Sequence, residues 1–196
     1  MPQARRDLAA DPLVLTPELV LARARAHEIA GAARIAFALL VAARLSGPVF
    51  WLQSPWTGDR LMGDGVRAIL DPGRLLIGRG RSPRELQWCA EEALRTGLVP
   101  LVVMELAEPP ALTPVRRLHL AAEEGARFRA APLVLLLTPG DGGAAGVESR
   151  WRVDPVPGWA RQGGPRWRLT RLRARMAPER TWDAALPGGR LRLTPV

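Results

Sequence analysis

The sequence has 196 residues, 47% of them apolar and 24% charged, which predicts one globular domain rather than two independent cores. Its formal net charge of +9 comes from arginine alone, because the sequence has no lysine, which excludes any site built on a lysine side chain. An anionic partner and a biased use of arginine in coding are two equal interpretations of this charge. One cysteine excludes an internal disulfide, and no secretory signal or run of membrane-spanning length is found, so we expect a cytoplasmic protein with no membrane partner.

The first predicted element is a helix near the N-terminus. Thr16 followed by Pro17 is the usual order of an N-cap and a first helical residue. We therefore predict a helix from Thr16 to about Arg25, outside the main sheet.

A strand–helix–strand unit is predicted over residues 27–53. A short strand ends near Ile29, an almost wholly apolar helix occupies residues 32–45, and a second strand begins at Val49. A helix that is apolar on nearly all sides must be buried beside a sheet. The turn at Gly31 is where nucleotide-binding proteins of this layout hold phosphate.

The phosphate-binding pattern G-x-x-x-x-G-K-[ST], if it began at Gly31, would need Gly, Lys and Ser or Thr at positions 36 to 38. The sequence has Ala36, Phe37 and Ala38 there, and Arg34 supplies the cation of this stretch. We interpret this as a degenerate phosphate-loop position, and we expect no cofactor and no metal.

Strands and helices continue to alternate up to about residue 137. The predicted elements are a weak helix at residues 60–70, a strand at 74–77, a helix opened by the capping box Ser82-Pro83-Arg84-Glu85, a strand at 98–106, a helix from Thr113-Pro114 to about Arg129, and a strand at 132–137. The run at 98–106 is continuously apolar, so we expect that strand to be buried on both faces. The order predicts an α/β fold with a mostly parallel sheet flanked by helices.

After a glycine-rich loop at residues 140–146 the pattern changes. Short strands without intervening helices are predicted at residues 150–153, 166–173 and 190–193. They predict an antiparallel extension at one edge of the sheet. The alternation changes phase near Thr170 and Arg171, which predicts a β-bulge.

The C-terminal segment is the most basic part of the chain, with 11 arginines against 3 acids in residues 150–196. One interpretation is a face that binds nucleic acid or a partner, and the other is an edge sheet kept soluble by its charges. The candidate binding residues are Arg166, Trp167, Arg168, Arg171, Arg173, Arg175 and Trp182. Trp182 is the predicted docking anchor in a tail rich in proline and glycine.

Four other side chains are interpreted as structural. Cys89 lies on the apolar stripe of its helix and is expected to be buried, since a reactive thiolate needs an exposed, electropositive setting. Trp51 and Trp88 are predicted to lie in the core. His27 has no His or Cys at ligand spacing, so a zinc site is not expected.

The chain resembles the RecA-fold core and, more closely, the ImuA family of bacterial SOS mutagenesis proteins. The resemblance rests on the order and spacing of four features: His27-Glu28-Ile29, LDPGRLL at residues 70–76, ELQWCAEEALR at residues 85–95, and Arg-Trp-Arg at 150 and 166. It implies a degenerate RecA-like core at residues 26–176, and this leaves the predicted helical extension at residues 1–25 and a tail or edge strand at residues 177–196.

The resemblance also places residues of a lost nucleotide site. Ser54 occupies the place of a catalytic glutamate, and Glu105 that of a magnesium-binding aspartate. Without a lysine, a hydroxyl and that glutamate, nothing is preorganised to stabilise a phosphoryl group in transfer. Glu105 is interpreted as a solvated or hydrogen-bonded acid at a strand end, with a relict metal ligand as the alternative.

The function that the resemblance implies is that of a non-catalytic adaptor in error-prone translesion DNA synthesis after DNA damage. Such a protein binds an ImuB-like inactive relative of Y-family polymerases and reaches an error-prone polymerase indirectly. Contact with RecA, direct binding of DNA and a homo-oligomer are left open, and the expected location is the cytoplasm in association with the nucleoid. The alternatives are a SulA-like inhibitor of cell division and an ATPase or recombinase with an atypical nucleotide site.

Overall fold

The computed structural model describes residues 11–54, 61–157, 164–175 and 177–196. In this part of the chain the strands are β1 (Leu13–Thr16), β2 (Leu19–Leu21), β3 (Ala26–Ala30), β4 (Val49–Gln53), β5 (Leu75–Arg79), β6 (Leu101–Glu105), β7 (Leu133–Leu137), β8 (Ser149–Pro155), β9 (Arg166–Ala174), β10 (Arg180–Ala185) and β11 (Arg192–Pro195). The helices are α1 (Arg34–Ala43), α2 (Gly63–Arg67), α3 (Pro83–Arg95) and α4 (Leu112–Gly125), with 3-10 turns at Pro72–Arg74 and Pro187–Gly189.

Among the described residues, nine strands form one sheet in the order β11-β10-β9-β8-β3-β7-β6-β4-β5. Neighbouring strands are parallel in the part β8-β3-β7-β6-β4-β5 and antiparallel in the part β11-β10-β9-β8. The predicted α/β fold, a mostly parallel sheet flanked by helices with a C-terminal antiparallel extension, is confirmed.

Each face of the sheet has its own hydrophobic core. Helix α1 and the β1–β2 hairpin cover one face, where Phe37 packs in the same cluster as Trp51. Helices α3 and α4 cover the other face, where Leu86 packs in the same cluster as Leu118. Every residue of β6 and β7 is buried, as their continuous apolar runs predict.

The predicted helix from Thr16 to Arg25 is wrong. Residues 13–21 form the β1–β2 hairpin, whose leucines alternate toward the α1 core, and residues 22–25 lead into β3. The Thr16 hydroxyl accepts a hydrogen bond from Leu19 N at 3.2 Å. A helix cap would make the same bond, but here it closes the turn of the hairpin. The chain forms strands because side chains alternate with a period of two, which turns the leucines toward the core, whereas a helix would distribute them around its surface.

The other two predicted helix caps have different outcomes. Ser82 Oγ accepts a hydrogen bond from Glu85 N at 3.2 Å, so the predicted cap of α3 is confirmed. The Glu85 carboxylate reaches back to Arg81 N at 2.7 Å. Helix α4 instead begins at Leu112, so Thr113 and Pro114 lie inside its first turn, where proline needs no N–H partner.

The predicted tail contains a strand that the sequence pattern did not indicate. Strand β10 (Arg180–Ala185) places Trp182 and Ala184 in the α1 core. The predicted bulge is confirmed: Arg150 lies opposite Arg173 and Trp151 opposite Arg171, so β9 carries one extra residue between them.

No helix in the described ranges combines the length and the apolar character that crossing a membrane requires.

Candidate functional site

The turn from β3 into α1 lies at the carboxyl end of the parallel strands, where α/β sheets bind ligands. It has three residues, because β3 ends at Ala30 and α1 begins at Arg34. Gly31 adopts a φ of +88°, and a Cβ atom there would lie 2.4 Å from Val153 O. Glycine is therefore required both by the backbone conformation and by the close approach of β8.

The N–H groups of this turn are bound by the protein itself. Gly31 N donates to Gly140 O at 3.2 Å, and Ala33 N donates to Val153 O at 2.9 Å. Ala32 N donates to the Asp154 carboxylate at 3.1 Å. These are the donors that a phosphate would use at the start of a helix, so the turn is closed by internal acceptors.

Asp154 supplies the negative charge at this position. Burial opposes its ionisation, but the hydrogen bond from Ala32 N and the contact with Arg152 outweigh burial and lower the pKa of the carboxyl. Arg152 Nε donates to Asp154 Oδ2 at 2.6 Å, and the same guanidinium forms an ion pair with Asp141. The hydrogen bond to Asp154 is the main reason why the pKa of Arg152 is raised.

The positions where a phosphate loop has lysine and hydroxyl are part of the core. Phe37 is 4% exposed, and Ala38 is buried in the same cluster. Ala36 is half-buried. Arg34 Nη1 donates to Gly31 O at 3.3 Å, which holds this guanidinium against the turn. The predicted loss of the phosphate-loop pattern thus coincides with an apolar replacement at the lysine position.

Glu105 ends β6 as a buried acid, 2% exposed. Its Oε1 atom accepts hydrogen bonds from Gln53 Nε2 at 2.8 Å and from the Trp51 indole N–H. Its Oε2 atom has no hydrogen-bond partner among the described residues. Of the two structural interpretations, the hydrogen-bonded acid therefore applies and the solvated acid does not. Ser54 directly follows β4.

Glu28 is a buried acid whose role the sequence analysis did not identify. It is 0% exposed, and it accepts hydrogen bonds from Thr138 Oγ1 at 2.8 Å, Gly143 N at 2.9 Å and Ala144 N at 3.0 Å. It also forms an ion pair with Arg150. Glu28 therefore fixes the glycine-rich loop, whose Gly140 O atom closes the β3–α1 turn. The available signal was a carboxylate in a short strand that leads into the apolar helix α1.

The predicted arginine candidates do not lie on one face of the C-terminal strands. Trp167, Arg171 and Trp182 point to the α1 side, because their neighbours Leu169 and Ala184 belong to that core. The residues that point the opposite way are Arg150, Arg152, Arg166, Arg168, Arg173 and Arg192, which we call the outer arginine face. Arg175 follows β9 and lies 4.0 Å from Glu148.

Trp182 is not an exposed docking anchor, since it is buried against Trp151 with ring centroids 6.1 Å apart. The Arg171 guanidinium covers both rings, at 5.7 Å from Trp151 and 5.1 Å from Trp182. Burial, with a smaller contribution from Arg180, lowers the pKa of Arg171. Arg171 therefore stabilises the core by cation–π contacts and does not belong to the outer arginine face.

Half of the outer arginine face is neutralised internally. Arg150 pairs with Glu28, Arg152 with Asp154, and Arg168 with Asp183. The three remaining members are exposed and form no ion pair with the described residues; they are Arg166, Arg173 and Arg192. Arg166 and Arg192 line one open depression of about 310 Å³.

The remaining candidates are placed as follows. Trp51 is buried as predicted, but the core assignment of Trp88 is wrong: it is 59% exposed on the outward side of α3. Cys89 is half-buried rather than buried.

Burial is the main cause that lowers the pKa of His27 to about 4, and it also lowers the pKa of His119. Among the described residues no group of three or more His, Cys, Asp or Glu is placed to hold a metal ion.

Comparisons with known proteins give no family. No family model matches the chain, and no curated protein matches it. Among solved structures, the chain is similar to SulA from Pseudomonas aeruginosa, with 21% sequence identity and a TM-score of 0.47. That match covers 59% of this chain and 98% of the SulA chain. No functional conclusion rests on a match at this level.

Proposed function

We propose that this chain is a non-catalytic adaptor that acts through its contact surfaces in error-prone translesion DNA synthesis. The observation that carries the non-catalytic part is the β3–α1 turn. Asp154 and Val153 accept the hydrogen bonds of its N–H groups, and Phe37 fills the lysine position with an apolar side chain. A triphosphate would have to displace the Asp154 carboxylate from Ala32 N, and the turn offers it no lysine at the phosphate-loop position.

The resemblance of residues 26–176 to the ImuA family supports the assignment of partners. We propose that the chain binds an ImuB-like protein directly and an error-prone polymerase through it. RecA is a further proposed partner, and the proposed location is the cytoplasm near the nucleoid. An adaptor that needs no nucleotide must bind its partner equally well with and without ATP, because no step of the binding cycle draws on hydrolysis.

Interferometry with the purified ImuB-like protein from the same cell tests the adaptor role. We expect saturable binding whose Kd is the same in magnesium-ATP and in buffer treated with apyrase. Damage-induced mutation frequency in cells should fall when the gene is deleted and should return with the wild-type chain. Absence of binding, or binding that requires ATP, would contradict the adaptor role.

Direct contact with DNA is proposed on the outer arginine face. Arg166, Arg173 and Arg192 are exposed and form no ion pair with the described residues, so their charges are open to phosphates. Each phosphate contact should contribute a slope of about −0.7 to −0.9 to the log–log dependence of affinity on salt. Replacing all three arginines by alanine should flatten the slope by about two to three.

A matched control exists on the same strands. Replacing Arg168 and Asp183 together by alanine removes one exposed ion pair and leaves the net charge unchanged. This double variant should bind DNA with the wild-type salt slope. Equal slopes for the wild-type chain and the triple variant would remove DNA from the proposed partners.

A further inference from the structure

Strand β5 forms one edge of the nine-stranded sheet and, among the described strands, pairs only with β4. Gly80 N donates to Gln53 O at the end of this pairing. Because N–H directions alternate along an extended strand, the N–H groups of Ile77 and Arg79 point away from β4. This edge therefore presents backbone groups that can pair with another strand.

The same strand exposes two large apolar side chains. Leu76 is 52% exposed and Ile77 is 50% exposed. Since successive side chains point to opposite faces, Ile77 lies on the face of Leu75, which packs against the α1 core, and Leu76 lies on the other face. A sheet edge with exposed apolar side chains is a surface that natural proteins usually protect.

The opposite edge of the sheet shows that protection. Strand β11 is four residues long and carries Arg192 and Pro195, both exposed. Proline cannot donate to a neighbouring strand, and a charge at the edge opposes pairing. Strand β5 has no proline, and its single charge, Arg79, is its last residue. The two edges of one sheet are thus built differently.

The carboxyl end of β5 is flanked by positive charge. Arg79, Arg81 and Arg84 are exposed and form no ion pair with the described residues. The nearby Glu85 is exposed, and its carboxylate accepts a hydrogen bond from Arg81 N. A ligand at this edge would therefore meet three arginines, with Glu85 as the nearby acid among the described residues.

We propose that β5 is the docking edge for an extended acidic segment of a partner protein, which adds to the sheet as a further strand. The segment would place apolar side chains beside Leu76 and Ile77, and its carboxylates would meet Arg79, Arg81 and Arg84. A second copy of the chain fits less well, since pairing two β5 strands would join two chains of net charge +9. The inference deepens the proposed function, because it assigns one contact surface to the adaptor.

Fluorescence anisotropy with three labelled peptides tests the proposal on the full chain. The first peptide has three central valines flanked on each side by two glutamates, the second has lysine in place of glutamate, and the third is the first with N-methylated valines. The glutamate peptide should bind, and either change should weaken binding at least tenfold. Hydrogen exchange should show that this peptide protects the amides of Ile77 and Arg79.

Two chain variants complete the experiment. Arg79→Glu with Arg81→Glu should weaken binding of the glutamate peptide at least tenfold. Arg116→Glu with Arg127→Glu changes the same charge at exposed positions on or just after α4 and should change the Kd less than twofold. Absence of binding, equal Kd values for the three peptides, or self-association through β5 in sedimentation would overturn the proposal. None of these results depends on ATP or on the ImuB-like protein, so the adaptor role is tested separately.

Discussion

Replacing Glu28 by alanine should be among the most destabilising single substitutions in the chain. The side chain is fully buried and accepts hydrogen bonds from Thr138, Gly143 and Ala144 while it pairs with Arg150. Removing one partner of a buried ion pair costs about 3 to 5 kcal/mol. We expect a loss of about 4 kcal/mol, a large part of the 5 to 15 kcal/mol that is typical of a folded domain.

Urea denaturation followed by tryptophan fluorescence measures this loss. With an m-value of about 2 kcal/mol per molar, the midpoint should fall by about 2 M. Asp183→Ala is the matched control, because it breaks an ion pair with Arg168 that is half exposed on both sides, and such pairs contribute about 0 to 1 kcal/mol. A midpoint for Glu28→Ala within about 0.5 M of the wild-type value would refute the role assigned to Glu28.

Three further predictions concern stability. Burial lowers the pKa of His27 to about 4, so the unfolded chain binds the proton more tightly than the folded chain. About 3 kcal/mol of stability should therefore be lost as the pH falls from 6.5 to 4. The unfolding free energies of wild type and His27→Gln, measured in urea, should diverge over this interval, and parallel pH profiles would contradict the prediction. Trp51→Ala should cost about 3 to 5 kcal/mol and Trp88→Ala less than about 0.5 kcal/mol in the same assay, so similar losses would disprove their placement. Gly31→Ala should cost about 2 kcal/mol or more, because its Cβ atom meets Val153 O; an unchanged melting temperature would show that β8 lies elsewhere.

The sheet could be predicted from the sequence because its signals are local. The apolar runs of β6 and β7 identify buried parallel strands, and Ser82 with Glu85 marks the start of α3. The N-terminal hairpin could not be predicted in the same way, since Thr16 followed by Pro17 satisfies both a helix start and a tight turn. The alternating leucines on either side decide between them only once the α1 core is present.

The closed turn could be predicted only in part. The absence of lysine at position 37 is visible in the sequence, but the carboxylate that replaces a phosphate comes from Asp154, 122 residues away from Ala32. The donors to Glu28 likewise come from distant residues. Trp88 was misplaced because a tryptophan on a mostly amphipathic helix is usually buried, whereas α3 turns Leu86, Ala90 and Leu94 toward the sheet instead.

Calorimetric titration of the full chain with ATP and magnesium ions tests the central claim most directly, which is that internal acceptors occupy the phosphate position between β3 and α1. The expected result is no saturable heat and no change in melting temperature at any ATP concentration, with or without magnesium. Saturable, magnesium-dependent binding that Asp154→Ala strengthens and Phe37→Asp abolishes would contradict the claim, because it would place the nucleotide in the turn that these residues are held to close.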